Sequence, residues 1–152
     1  MAKTAQEKLN HSGDLPKVVA LEDPAQQARL GGRTMLVAPP VEYDQLMKQV
    51  PHGHLATLDR LRAYLAQRHG ADVTCPLTAG IFARLVAEAA DERSGADPTP
   101  WWRTLKRDGE LNPKYPGGVE RQAALLQAEG HKVTQRGKRW FVADYQAQLW
   151  TP

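Results

Sequence analysis

Residues 57–92 read TLDRLRAYLAQRHGADVTCPLTAGIFARLVAEAADE, two helical periods separated by a short connector. In the first, Leu58, Leu61, Tyr64, Leu65 and Arg68 share one face, Thr57 stands in the capping position and Gly70 ends the period. Arg60 replaces the Glu of a full capping box. After the connector Ala71 to Pro76, the second period runs from about Leu77 to Glu92 and puts Ile81, Phe82, Leu85 and Ala89 on its apolar side. Two helices joined in this way are compatible with a helix-turn-helix, a pattern that many all-α proteins share.

Upstream, Thr34 to Val37 is a short apolar run, and Pro39 and Pro40 lead into a helix at Val41 to Val50 that buries Leu46, Met47 and Val50. Pro51 to His54 breaks the chain before Thr57. Residues 1–30 are polar and interrupted by Gly13, Pro16 and Pro24, so they are expected to form a flexible arm that can partly order on the domain. Downstream, Ser94 to Pro100 is expected as an extended loop, Trp101 to Leu105 as a strand and Lys106 to Gly109 as a tight turn. A second loop, Asn112 to Gly118, precedes a helix from Val119 to Glu129 that Gly130 stops. Lys132 to Gln135 and Arg139 to Val142 flank Gly137 as a β-hairpin with Val133 and Trp140 inside. The domain spans 31–143, and the tail 144–152 carries Tyr145, Leu149 and Trp150, which can dock or stay free.

The length of 152 residues and a hydrophobic content of 41% suit one core. The net charge of +3 is too small to argue for nucleic acid, but its distribution is uneven. Residues 101–140 hold nine Lys or Arg against four acids, whereas the remainder has a small acidic excess. Such a concentration suits an anionic polymer, with a solvated basic face as the plainer alternative. Cys75 is the one thiol, which excludes an internal disulfide framework and a cysteine-rich metal site. Its place before a helix could lower its pKa, although a small structural cysteine is the simpler role. The five histidines do not fall at metal-ligand spacing with carboxylates, so neither metal nor cofactor is expected. With no apolar run of membrane length, the expectation is a cytoplasmic monomer, associated with the nucleoid when bound to DNA, and no membrane partner.

Three segments, in order, resemble the DNA-binding domain of the alkylguanine-DNA alkyltransferase family, which moves the alkyl group of an O-alkylated guanine onto a cysteine. Val50-Pro51-His52-Gly53-His54-Leu55-Ala56-Thr57 is similar to the family's Pro-x-Gly-x-Val-x-Thr entry to its helix-turn-helix. Pro100-Trp101-Trp102-Arg103 stands at the place of Pro-Cys-His-Arg. Tyr115-Pro116-Gly117-Gly118, with Arg121-Gln122 and the run Leu125 to Gly130, resembles the Tyr-Ser-Gly-Gly loop and the helix that closes the substrate pocket. The resemblance covers roughly residues 42–130 and implies an α+β, mainly α, winged helix-turn-helix with a short β-hairpin near the C-terminus.

The departures bear on function. Trp101 replaces the cysteine and Trp102 the histidine that relays its proton, while Glu129, which orients that histidine in the family, is present. An indole is no substitute for a thiolate nucleophile. The alkyltransferase-like branch of the family also carries tryptophan for cysteine and implies a non-catalytic protein. Such a protein binds double-stranded DNA, flips an alkylated base and assists repair through a partner protein. That resemblance makes Trp101, Trp102, Tyr115, Gly117 and Gly118 the expected lesion pocket and Thr57, Arg84, Arg103, Lys106 and Arg107 the expected DNA contacts. Trp101 is expected to wall the pocket for a stacked purine, the alternative being that it plugs an obsolete cavity. Arg84 is placed to fill the gap left by a flipped base, or is an ordinary surface arginine. Arg103 could instead bond loop carbonyls. Leu58 stands where the family has a tyrosine that helps rotate the phosphate, which bears on flipping more than on binding. The competing classes are an enzyme using Cys75 or another site, and a protein-interaction module built on Trp140 and Trp150.

Overall fold

The structure is a computed structural model that describes residues 3–93 and 98–152. Thr4 is a helix cap, its hydroxyl accepting from the Glu7 amide at 3.1 Å, and starts α1 (Ala5–Asn10). A strand β1 (Lys17–Ala20) is followed by α2 (Pro24–Leu30), which Asp23 caps and Gly31 closes, and by β2 (Thr34–Val37). Pro40 sits in the first turn of α3 (Pro40–Gln49), where its missing N–H costs nothing. The chain continues through β3 (Ala56–Thr57), α4 (Leu58–Arg68), β4 (Val73–Thr74) and α5 (Pro76–Glu92). A 3-10 turn at Trp101–Arg103 leads into β5 (Thr104–Leu105) and a second turn at Arg107–Gly109. The remainder is α6 (Gly118–Ala128), β6 (Val133–Arg136), β7 (Arg139–Val142) and a last 3-10 turn at Tyr145–Gln148.

The sheets are small. β1, β2 and β4 form one sheet in that order, β1 antiparallel and β4 parallel to β2; β3 pairs in parallel with β5; and β6 with β7 is the expected hairpin. The fold is therefore mainly helical α+β, with a hairpin near the C-terminus as expected. Its main core gathers Leu9, Leu36, Tyr43, Leu46, Met47, Leu61, Leu65 and the inner face of α5 around Trp101 and Tyr115. A second cluster of Leu55, Leu105, Leu111, Ala123, Leu126 and Val142 lies under α6 and the hairpin, and Trp102 packs against both.

Several expectations are corrected by this packing. The first thirty residues, expected as a flexible arm, carry two helices and a strand. Ala5 and Leu9 are buried in the main core, and the Glu92 carboxylate accepts from the Ala5 and Gln6 amides at 2.8 and 3.0 Å. The tail is likewise docked: the Trp150 amide donates to Leu55 O at 2.8 Å, and the Leu55 amide to Gln148 O at 2.9 Å. Trp101 to Leu105 is not one strand, because its first three residues turn: the Trp101 amide donates to Thr99 O and that of Arg103 to Pro100 O. In the hairpin Phe141 and Val142 are buried, while Val133 and Trp140, expected inside, are only half-buried and pack against the edge of the second cluster. The loop expected at Ser94 to Pro100 lies in part outside the described residues.

The largest correction concerns α5. Its buried residues are Ala79, Ala83, Val86, Ala87, Ala89 and Ala90, and Ile81, expected inside, is 54% exposed. Small side chains let α1 and α3 approach the helix closely, so the alanines and Val86 take the core, Phe82 and Leu85 pack half-buried at its edge, and Ile81 is turned out. Leu77 is 72% exposed on the same outward stripe.

Candidate nucleic-acid interface

Trp101 and Tyr115 meet as the resemblance implies, but as packed neighbours. Their ring centroids are 5.2 Å apart at 62°, and Trp102 stands edge-on to Trp101 at 5.7 Å and 86°. Trp101 is 2% exposed and Tyr115 3%. Pro100 and the 3-10 turn make this possible, since along an extended chain consecutive side chains point to opposite sides, whereas the tight turn brings both indoles inward. Arg121 closes the cluster from outside: its guanidinium lies 5.5 Å over the Trp101 ring and pairs with Asp91 of α5 at 2.8 Å. Gly117, at φ +85°, has to lack a side chain here, because a Cβ would run into the Arg121 side chain. Gly118, also at positive φ, opens α6. Trp101, Trp102 and Tyr115 are thus brought together beside Gly117 and Gly118, and Trp101 is packed among them rather than walling an open cavity.

Beside the cluster, Glu129 is the acceptor on which the site is pinned. It takes the Trp102 indole N–H at 2.8 Å, Arg103 through Nε and Nη2 at 2.9 Å each, and the Gly53 amide at 3.3 Å. Arg103 also donates to Val50 O at 2.8 Å. Burial alone would push the Glu129 carboxyl up, but the bonds from Arg103, Trp102 and Gly53 outweigh it and hold its pKa below the usual value. Trp102 is therefore a donor to Glu129, with no transferable proton at neutral pH. Gln122, fully buried, ties the loop to the turn: it accepts from the Asn112 amide at 2.8 Å and donates to Trp102 O at 3.1 Å. The Tyr115 hydroxyl donates to Thr104 O at 3.0 Å, and burial raises its pKa so that it stays neutral.

The open surface lies elsewhere. A groove of about 790 Å³ runs along the outward stripe of α5, floored by Leu77, Gly80, Ile81, Phe82, Leu85 and Leu58. Its edges carry Lys3, Lys8, Arg62, Arg84, Lys106, Arg107 and Lys114 against two carboxylates, Asp59 and Glu88. This excess of positive charge over an apolar floor suits a phosphate backbone flanking base edges. Arg84 is exposed, pairs with Glu88 at 3.2 Å and also lines a second depression of about 510 Å³ beside Pro113, Tyr115 and Pro116. Trp101 lines neither opening.

Of the expected DNA contacts, Arg84, Lys106 and Arg107 are therefore on the groove. Thr57 and Arg103 are not. Thr57 is buried at the start of α4, where β3 pairs with β5. The Arg103 side chain is 13% exposed and its donors are committed to Glu129 and Val50 O. Cys75 precedes α5 beside Tyr43 and lines neither opening. Among the described residues no group of three His, Cys, Asp or Glu is placed to hold a metal ion. No helix is long and apolar enough to cross a membrane among the residues described. The sequence reasoning missed Arg62, Lys114 and the N-terminal lysines, because exposure on one groove is a property of packing, and it missed the closing role of Arg121.

The model of the family described as 6-O-methylguanine DNA methyltransferase, DNA binding domain, matches residues 43–131. The chain belongs to this family. The matched region contains α4, α5, the Trp101 turn, the Tyr115 loop and α6, and it leaves out α1 and the hairpin. Two solved structures share the fold. The crystal structure of S. pombe Atl1 in complex with damaged DNA containing O6-carboxymethylguanine is 18% identical, covers 74% of this chain and 94% of its own, and superposes with a TM-score of 0.51. That of S. pombe ATL in complex with DNA is 17% identical with the same coverages and a TM-score of 0.50. No curated protein matches the chain by sequence. Trp101, Tyr115 and Glu129 all lie within the region matched to the family.

Proposed function

We propose that this protein is a non-catalytic member of the alkyltransferase family that binds duplex DNA through the α5 groove and recognises a flipped O-alkylguanine at Trp101 for a downstream repair protein. The observation that carries the reading is the pairing of an open, cation-edged helix face with a buried indole at the place of the family's nucleophile. The similarity in fold to S. pombe Atl1, seen with damaged DNA, supports it. With no thiolate at position 101, alkyl transfer by the family route has no acceptor. Recognition of a flipped base requires Arg121 to leave Asp91 and the Trp101 ring, and Tyr115 to move aside, so that Trp101 offers its face to the purine. Stacking of that kind is worth about 1–3 kcal/mol.

The test is a titration of plain and O-alkylguanine duplexes by the parent protein and by Trp101→Leu, which stays apolar but offers no ring face. The parent is expected to favour the alkylated duplex by about tenfold or more, and Trp101→Leu to lose that preference while keeping its affinity for plain DNA. Equal affinity of the parent for both duplexes removes lesion recognition, and no salt-dependent binding to either removes the DNA reading. Intact-mass measurement after incubation with alkylated DNA is expected to show an unchanged mass; a gain on Cys75 would overturn the non-catalytic assignment.

A further inference from the structure

We propose that α1, which lies outside the region matched to the family, forms a second cationic rail of the DNA interface. In this arrangement a duplex seated on α5 is held by Lys106, Arg107 and Lys114 on one flank and by Lys3 and Lys8 on the other. The inference rests on the DNA-binding reading above and adds to it the segment that completes the grip.

The placement follows from the helix period. Glu92, which accepts from the first amides of α1, is seven and eleven residues beyond Leu85 and Ile81 and shares their side of α5. Asp91, which pairs with Arg121 of α6, is seven and eleven beyond Arg84 and Gly80 and shares theirs. The two attachments leave the outward stripe of α5 running between α1 on one side and the loop carrying Pro113 and Lys114 on the other, and residues of both line the one groove. Burial of Ala5 and Leu9 fixes α1 in place and turns Lys8 out. Lys3 and Lys8 make no ion pair among the described residues, so their charges are available to a polyanion. A helix lying in a DNA groove has a sugar-phosphate backbone on each side of it, and cations on both flanks match that geometry.

Each phosphate neutralised steepens the dependence of binding on salt by about 0.9 in log K against log[salt]. Duplex affinity of the full chain measured across a salt series is therefore expected to show a slope shallower by about two in Lys3→Gln/Lys8→Gln than in the parent. Arg29→Gln/Arg33→Gln, which removes the same charge from the N-terminal segment away from the groove, is expected to leave the slope unchanged. Thermal melting of each variant checks that the fold is retained. An unchanged slope in Lys3→Gln/Lys8→Gln, alongside a reduced one in Lys106→Gln/Arg107→Gln, overturns the second rail and leaves the DNA reading standing. An equal change in the Arg29/Arg33 variant also overturns it, by assigning the effect to net charge. Absence of duplex binding by the parent removes both.

Discussion

The surroundings of Trp101 and the outward stripe of α5 lie on two sides of one helix, and they differ in how completely their groups are paired. Around Trp101 the charged and amide side chains are paired inside the protein: Glu129 with Trp102, Arg103 and Gly53, Gln122 with Asn112 and Trp102, Arg121 with Asp91. Along α5, large apolar side chains face solvent and cations outnumber the carboxylates beside them. A site whose interactions are satisfied internally resists change, whereas one that leaves charge and apolar surface open is suited to a partner. The aromatic cluster is thus a structural joint, and the face that remains open is the one proposed above to meet DNA.

Removing the indole tests the joint most severely. Trp101→Ala is expected to lower stability by about 3–5 kcal/mol in denaturant unfolding, the cost of emptying a buried tryptophan site. A loss below 1 kcal/mol would mean that the site is open in solution and would break the contrast. Glu129→Ala should cost about 3 kcal/mol by stranding Arg103 without its carboxylate. The same residue sets an acid limit. Its pKa is lowered in the folded state, so its stabilisation is full above the ordinary value of 4.5 and is lost as pH falls through the lowered one. Glu129→Gln should therefore flatten the fall in stability of the parent below about pH 4.5, as read by unfolding at a series of pH values.

The groove should behave in the opposite way. Lys106→Gln/Arg107→Gln is expected to weaken duplex binding and make its salt slope shallower by about two, with stability changed by no more than about 0.5 kcal/mol. The smallest effect on folding is expected for Leu77→Ala, whose side chain is mostly exposed, again within about 0.5 kcal/mol. Weaker duplex binding by that variant, with stability held, would sharpen the assignment of the apolar floor to the interface.

Much of this was legible in the chain itself. Gly70, Gly130 and the prolines delimit α3 to α6 closely, because backbone restrictions act locally, although no side chain caps the first turn of these helices. The Tyr115–Gly118 loop and Gly130 likewise read correctly as punctuation, and the absence of a thiol at position 101 was plain from the residues. What the period of α5 could not disclose was which of two apolar stripes faces inward, since alanine and leucine both satisfy a hydrophobic pattern. Close approach by α1 and α3 chose the alanines and left Leu77 and Ile81 outside. In the same way, whether Trp101 walls a cavity or fills one depends on Arg121, Asp91 and Tyr115 arriving from distant parts of the chain. The sequence by itself determined α3 to α6, the C-terminal hairpin, their order and the lack of a nucleophile at position 101, all consequences of residue type and near neighbours. Only the tertiary structure decided the docking of the first thirty residues, the closed aromatic joint and the cation-edged groove, because each is made by side chains that become neighbours only when the chain packs.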